Sequence, residues 1–157
     1  MTTRIIGADT FTLLYDGSLR MVAVQKNGAT IAEFAYDGDG QMVVSSVGGT
    51  TTYTVGGYFE LKLTASDSTT VKYYSAGSAR VAMRQDDTVT YLFGDHLGST
   101  SVTFNDAANA TQSQGYTAFG AERYSLGGEL PTDYEYTGQK EFAEIGLQFY
   151  NARWHES

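Results

Sequence analysis

Chemistry in this sequence would have to start from very few residues. There are two histidines, His96 and His155, and no cysteine, which excludes disulfides, thiolate metal sites and a cysteine nucleophile together. His96 follows Asp95 in "YLFGDHLGSTS", residues 91–101. Neighbouring residues of an extended chain point to opposite sides, so Asp95 does not orient His96 as the acid of a catalytic pair must. Glycines at 94 and 98 make the stretch read as a corner, in which an aspartate bonds backbone amides. His155 stands far from His96, so the two offer no metal-ligand spacing. Asp37-Gly38-Asp39-Gly40 opens like a calcium loop, but the twelfth position counted from Asp37 is Gly48, where a bidentate carboxylate is required. It too reads as a turn.

No Gly-x-Ser-x-Gly elbow occurs, and "GYTAFGAE" lacks the glycine order of a nucleotide cradle. Carboxylates that meet only in the folded chain, as in glycoside hydrolysis, leave no mark in a sequence. The residues therefore point to no catalytic group, metal or cofactor. The binding chemistry on offer is aromatic: Tyr53, Tyr58, Tyr73, Tyr74, Tyr91, Tyr116, Tyr124, Tyr134, Tyr136 and Tyr150 could carry a glycan or a protein, or fill a curved sheet with their rings.

A net charge of -8 and a pI near 4.5 disfavour nucleic acid and anionic membrane surfaces. No apolar run approaches the ~20 residues of a membrane span. The start, "MTTRIIGADTF", lacks a signal peptide's apolar segment, so the chain reads as cytosolic or as part of a larger exported one.

The elements that would position these residues are strands. The chain has 157 residues, enough for one domain, with 18 glycines, 12 tyrosines and 8 phenylalanines against one proline. "LLYDGSLRMVAV" at residues 13–24 returns as "FAYDGDGQMVVS" at 34–45, which sets Tyr15-Asp16-Gly17 and Tyr36-Asp37-Gly38 21 residues apart. Between them Asn27-Gly28 signals a type I′ hairpin turn. Short runs of Thr, Tyr, Val and Leu continue, broken at Gly48-Gly49, Gly56-Gly57, Ser66-Asp67 and Gln85-Asp86-Asp87. Phe59, Leu61 and Leu63 alternate with Glu60 and Lys62, placing the apolar three on a buried face and the charged two on a wet one. A short helical piece is expected at Gln139–Ala143, and a long loop around Gly127, Gly128 and Pro131. The fold class is all-β: an antiparallel meander of successive hairpins forming a strongly curved strip or partly closed barrel.

From about Tyr36 to Trp154 the chain resembles the Rhs (YD-repeat) proteins and the Rhs repeat-associated core. The resemblance rests on the Tyr-Asp-Gly units, "YTVGGYFELK", "KYYSAGSARVAMR", "YLFGDHLGSTSVTFNDAANATQSQGYTAFGAER", "YTGQKE" and "GLQFYNARW". It divides the single domain into two YD-type repeats (1–48) and a core-like segment (49–157). It implies a wall or plug of a β-shell that houses a toxin or effector cargo. It also implies neighbouring repeats or cargo as partners, and a place in a larger secreted or cell-surface bacterial protein. Some members cleave themselves just beyond the core. Here "YNARW" runs into His155-Glu156-Ser157, without the family's cleavage motif, so an autoprotease remnant is the weaker alternative. The fold-defining residues so implied are Tyr15, Asp16, Gly17, Tyr36, Asp37, Gly38, Asp95, His96, Gly98 and Gly120 at turns. Gly146, Leu147, Tyr150, Arg153 and Trp154 follow in a closing strand. A strip this short leaves its end strands open, which favours pairing with other repeats or with a second copy.

Overall fold

Glycine turns and β-branched or aromatic runs produce hairpin after hairpin in a computed structural model of the chain. The structure describes residues 1–105, 107, 109–151 and 153–156. Asp106, Ala108 and Ala152, within the resembling stretches, and Ser157 of the final tripeptide lie outside the described residues. The strands are β1 (Thr2–Ile6), β2 (Asp9–Tyr15), β3 (Met21–Lys26), β4 (Ala29–Tyr36), β5 (Met42–Val47), β6 (Thr50–Val55) and β7 (Phe59–Leu63). They continue as β8 (Ser68–Ala76), β9 (Ala79–Gln85), β10 (Thr88–Gly94), β11 (Thr100–Asn105), β12 (Ala110–Tyr116) and β13 (Glu122–Leu126). Their order in the sheet is their order in the chain, and every neighbouring pair is antiparallel. Among the described residues β1 pairs only with β2 and β13 only with β12, so the strip is open and not a barrel. Among the described residues no helix is long and apolar enough to cross a membrane.

A second sheet of three strands, β14 (Lys140–Phe142), β15 (Leu147–Tyr150) and β16 (Arg153–His155), follows the strip. Phe142, Leu147 and Phe149 pack with Trp154 on Phe11, Leu13, Val24 and Phe34 of the strip. Tyr134 joins a second cluster of Val71, Tyr73, Met83 and Leu92. Each large side chain so buried contributes roughly 1.5–3 kcal/mol. Arg4 of β1 donates to the Ile145 carbonyl at 2.7 Å, and Gln148 of β15 donates to the Gly120 carbonyl beyond β12 at 3.4 Å. One small sheet thus touches both ends of the strip, which requires the strip to curve around it.

Three expectations are corrected. Glu60, placed on the wet face, is 1% exposed, while Phe59, Leu61 and Leu63 are only half-buried. The register explains it: Glu60 sits opposite Val71, and Tyr73 two residues on opposes Met83, so Glu60 shares the inner face with the second cluster. Gln139–Ala143 is not helical. Lys140–Phe142 pairs as a strand with β15, because docking of Phe142 outweighs local helix propensity; 3-10 turns flank it at Tyr136–Gly138 and Ala143–Ile145. The closing strand is a hairpin, with Leu147 and Tyr150 in β15 and Arg153 and Trp154 in β16.

Candidate functional site: repeated aspartate turns and a buried ion pair

The Tyr-Asp-Gly aspartates build one turn several times. The Asp16 amide donates to the Arg20 carbonyl and the Leu19 amide returns to the Asp16 carbonyl; Asp37 with Gln41 and Gly40, and Asp95 with Ser99 and Gly98, do the same at 2.9 and 3.1 Å. In each, the aspartate Oδ1 accepts two further amides: those of Ser18 and Arg20, of Asp39 and Gln41, and of Leu97 and Ser99. Thr117–Ala121 and Glu135–Gln139 repeat the backbone bonds without an aspartate. The fourth residue of every copy has positive φ: Leu19 at 61°, Gly40 and Gly98 at 82°, Gly120 at 92° and Gly138 at 69°. Gly17 and Gly38 are not in that region. His96 is exposed at the second position of its turn.

At two of the turns the preceding tyrosine reaches back to the turn before. Tyr36 Oη donates to the Met21 carbonyl at 2.8 Å, just past the Asp16 turn. Tyr116 Oη donates to the Thr100 carbonyl at 2.7 Å, just past the Asp95 turn. Burial pushes the Tyr36 phenol up to about 12, so the donor keeps its proton throughout the physiological range. Tyr15 is half-buried beside the first cluster.

Partial burial works against the Asp95 carboxylate, but the amides of Ser99 and Leu97 outweigh it and hold the group below its ordinary range. Its contribution is present above pH 3.8 and lost as pH falls through the depressed value. Asp95→Ala should cost about 1–2 kcal/mol, as loss of a capping side chain does. Gly98→Val should also destabilise, through φ alone, since nothing lies within 4 Å of a Cβ built there. Urea unfolding checks both, and an unchanged midpoint for either variant would contradict the turn's role.

The small sheet brings charge inside. Lys140 Nζ lies 2.5 Å from Glu60 Oε1, with side chains 8% and 1% exposed. Tyr134 Oη donates to the same oxygen at 3.1 Å, and Lys62 pairs with Asp133 at 2.7 Å. Burial and the Glu60 charge push the Tyr73 and Tyr134 phenols well above their usual range. The Arg80 guanidinium stacks 3.6 Å from the Tyr134 ring centroid. A cavity of about 720 Å³ opens between the turn edge and the small sheet, lined by Asp37, Arg80, Asp95, Tyr134, Lys140 and Phe149 among others.

Solved structures share this architecture. The crystal structure of TcdB2-TccC3 superposes with a TM-score of 0.74 at 14% identity, over 96% of this chain and 9% of that one. TcdB2-TccC3-TEV gives 0.74 at 14% over 96% and 8%, and TcdB2-TccC3-Cdc42 gives 0.75 at 14% over 93% and 8%. The fold is therefore one that a far longer polypeptide contains as a small part. No family model matches the sequence, and no curated protein does.

The remaining residues singled out in the sequence are dispersed. Gly146 ends the second 3-10 turn in the left-handed region, Leu147 is buried, and Arg153 is exposed. Tyr150 shares a hydrogen bond with Thr137 at 3.1 Å. Gly120 is closed over by Tyr136 and Gln148, which would lie 2.7 and 3.0 Å from an added Cβ. The tyrosines divide by face. Tyr73 and Tyr134 are buried, whereas Tyr53, Tyr58, Tyr74, Tyr91 and Tyr124 are exposed. Nothing in the sequence singles out Lys140 or Arg80, and Glu60 reads there only as a wet-face residue beside Lys62.

Proposed function

We propose that the chain is a non-catalytic segment of an Rhs-like β-shell: a curved wall whose C-terminal sheet plugs its concave face, in a larger secreted or cell-surface bacterial protein that houses a cargo. The observation that carries this reading is the open strip, whose first and last strands each lack a second partner among the described residues. Occurrence of the same fold within the much longer TcdB2-TccC3 chain supports it. So does the match of the Tyr-Asp-Gly repeats to a repeated turn, the second of which Tyr36 ties to the first.

An unpaired strand is a template for another strand. Neighbouring repeats would take that place in the longer protein, and a second copy would take it in the isolated chain. Ile5 of β1 and Leu126 of β13 are 72% and 64% exposed on these edge strands. Ile5→Lys and Leu126→Lys should each weaken association of the isolated chain while shifting its melting temperature by less than ~2 °C. Association indifferent to both charges would count against edge pairing.

A further inference from the structure

We propose that Arg80 anchors a carboxylate-binding site in the cavity of about 720 Å³ between the turn edge of the strip and the plug. The chain has 10 lysines and arginines against 18 aspartates and glutamates, so a basic side chain finds an acid easily. Arg4, Arg20, Lys26, Lys62, Arg84 and Lys140, each at least partly buried, all do. Arg80 is the one partly buried base without a carboxylate partner among the described residues. Lys72, Arg123 and Arg153 also lack one, but they are exposed to water.

Its guanidinium is held in place without any ligand. It lies 3.6 Å from the Tyr134 ring centroid and 5.6 Å from that of Tyr73. Tyr134 is itself fixed: it is buried, its ring meets Tyr73 edge-on at 5.0 Å, and its hydroxyl donates to Glu60 Oε1 at 3.1 Å. Arg80 Nη1 donates to the Gly138 carbonyl, in the first 3-10 turn, at 3.0 Å. Its Nε and Nη2 make no hydrogen bond among the described residues, and neither is sealed from solvent. A fork with one nitrogen spent and its Nε–Nη2 edge free takes both oxygens of a carboxylate. Because stacking has already ordered the long side chain, little of that cost falls on binding.

The walls select among anions. Asp37 and Asp95 line the same cavity, so a phosphate with its near-double charge is repelled more than a single carboxylate. Lys140 lines it too, but is engaged with Glu60 at 2.5 Å. Met42, Leu97 and Phe149 give an apolar wall for the body that carries the carboxylate. The ligand class is therefore a singly charged organic carboxylate, either a free acid or an acidic side chain of a polypeptide. The site does not rest on the shell reading, since binding is measured on the isolated chain whatever its state of association.

The experiment uses the full chain and saturation-transfer NMR. The probes are a blocked Ala-Glu-Ala tripeptide, its glutamine counterpart, and benzoate as a free organic acid, with inorganic phosphate as competitor. A carboxylate probe should bind saturably, and the glutamine tripeptide about tenfold or more weakly. Binding of the glutamate tripeptide assigns the site to a polypeptide side chain, and binding of benzoate alone assigns it to a free acid. Arg80→Lys, which keeps the charge and loses the fork, should weaken carboxylate binding about tenfold, whereas Arg153→Gln, which removes an exposed arginine of the plug, should leave it unchanged. Leu97 is 52% exposed on the cavity, so it can be charged without disturbing the interior: Leu97→Asp should weaken binding and Leu97→Lys should tighten it. The site is overturned if neither carboxylate probe binds, if the glutamine tripeptide binds as well as the glutamate one, or if phosphate displaces the carboxylate at equal concentration. It is equally overturned if Arg80→Lys binds like wild type or Arg153→Gln loses as much as Arg80→Lys. Should Arg80→Lys fail to fold, binding indifferent to both charges at Leu97 is enough to reject it.

Discussion

Lys140→Met should destabilise the chain by about 3–5 kcal/mol, because it strands the Glu60 carboxylate in the interior. Glu60 is 1% exposed, and its Oε2 has no hydrogen-bond partner among the described residues. After the substitution only the Tyr134 hydroxyl would remain on the other oxygen. Replacing both charges, as Glu60→Leu with Lys140→Met, should be close to neutral or even stabilising, since hydrophobic groups of similar volume avoid desolvating two ions. Such a loss is a large share of the ~5–15 kcal/mol that holds a domain together. Urea unfolding of the two single variants and the double variant gives the coupling directly. A cost below ~1 kcal/mol for Lys140→Met would show that the pair is solvated and fixes nothing.

What the pair does, on this account, is position the plug. It joins β7 to β14 across 80 residues of sequence, at the point where the inner face is polar. Ser45 and Thr52 are also buried there, between the apolar cluster of β2 to β5 and that of β8 to β10. An apolar plug could slide along an apolar wall; a lysine that must meet one carboxylate cannot. The double variant should therefore retain its stability while the Trp154 emission band broadens.

Phe34→Ala should cost about 3–5 kcal/mol by removing a buried aromatic and leaving a cavity. Phe34 is 5% exposed, with ring centroids 5.4 Å from Phe142 in an edge-on contact and 4.8 Å from Trp154. These are contacts between strip and plug, so the loss should come with red-shifted emission and greater quenching of Trp154. Phe93→Ala is the matched control: that ring, on β10, is 55% exposed, and its loss should stay within about 0.5 kcal/mol. Equal losses from the two would mean that the plug is not held on the inner face by this aromatic cluster.

The hairpins were legible because they are local. Asn27-Gly28 takes positive φ at both residues, 52° and 86°, as its composition demands. The Tyr-Asp-Gly repeat announced a turn, although the position that turns left-handed lies later, at Gly40 and at Leu19. The Thr117 and Glu135 copies were illegible as repeats, because they keep the backbone bonds and drop the aspartate. Strand alternation divides residues between two faces and does not say which face is covered. Glu60 needed Lys140, 80 residues on, to be buried, and no local pattern records that meeting. The same holds for the plug. Residues 140–142 have helical propensity, and only their contacts with β15 and the strip make them a strand.

The most direct measurement is the molar mass of the purified chain, by light scattering behind size exclusion, over a wide range of concentrations. Mass rising above the 17.0 kDa monomer as concentration increases is the expected result, because the edges of β1 and β13 seek the strands that a longer shell would supply. A sharp monomer at every concentration would contradict the shell reading and mark a sheet that needs no neighbour.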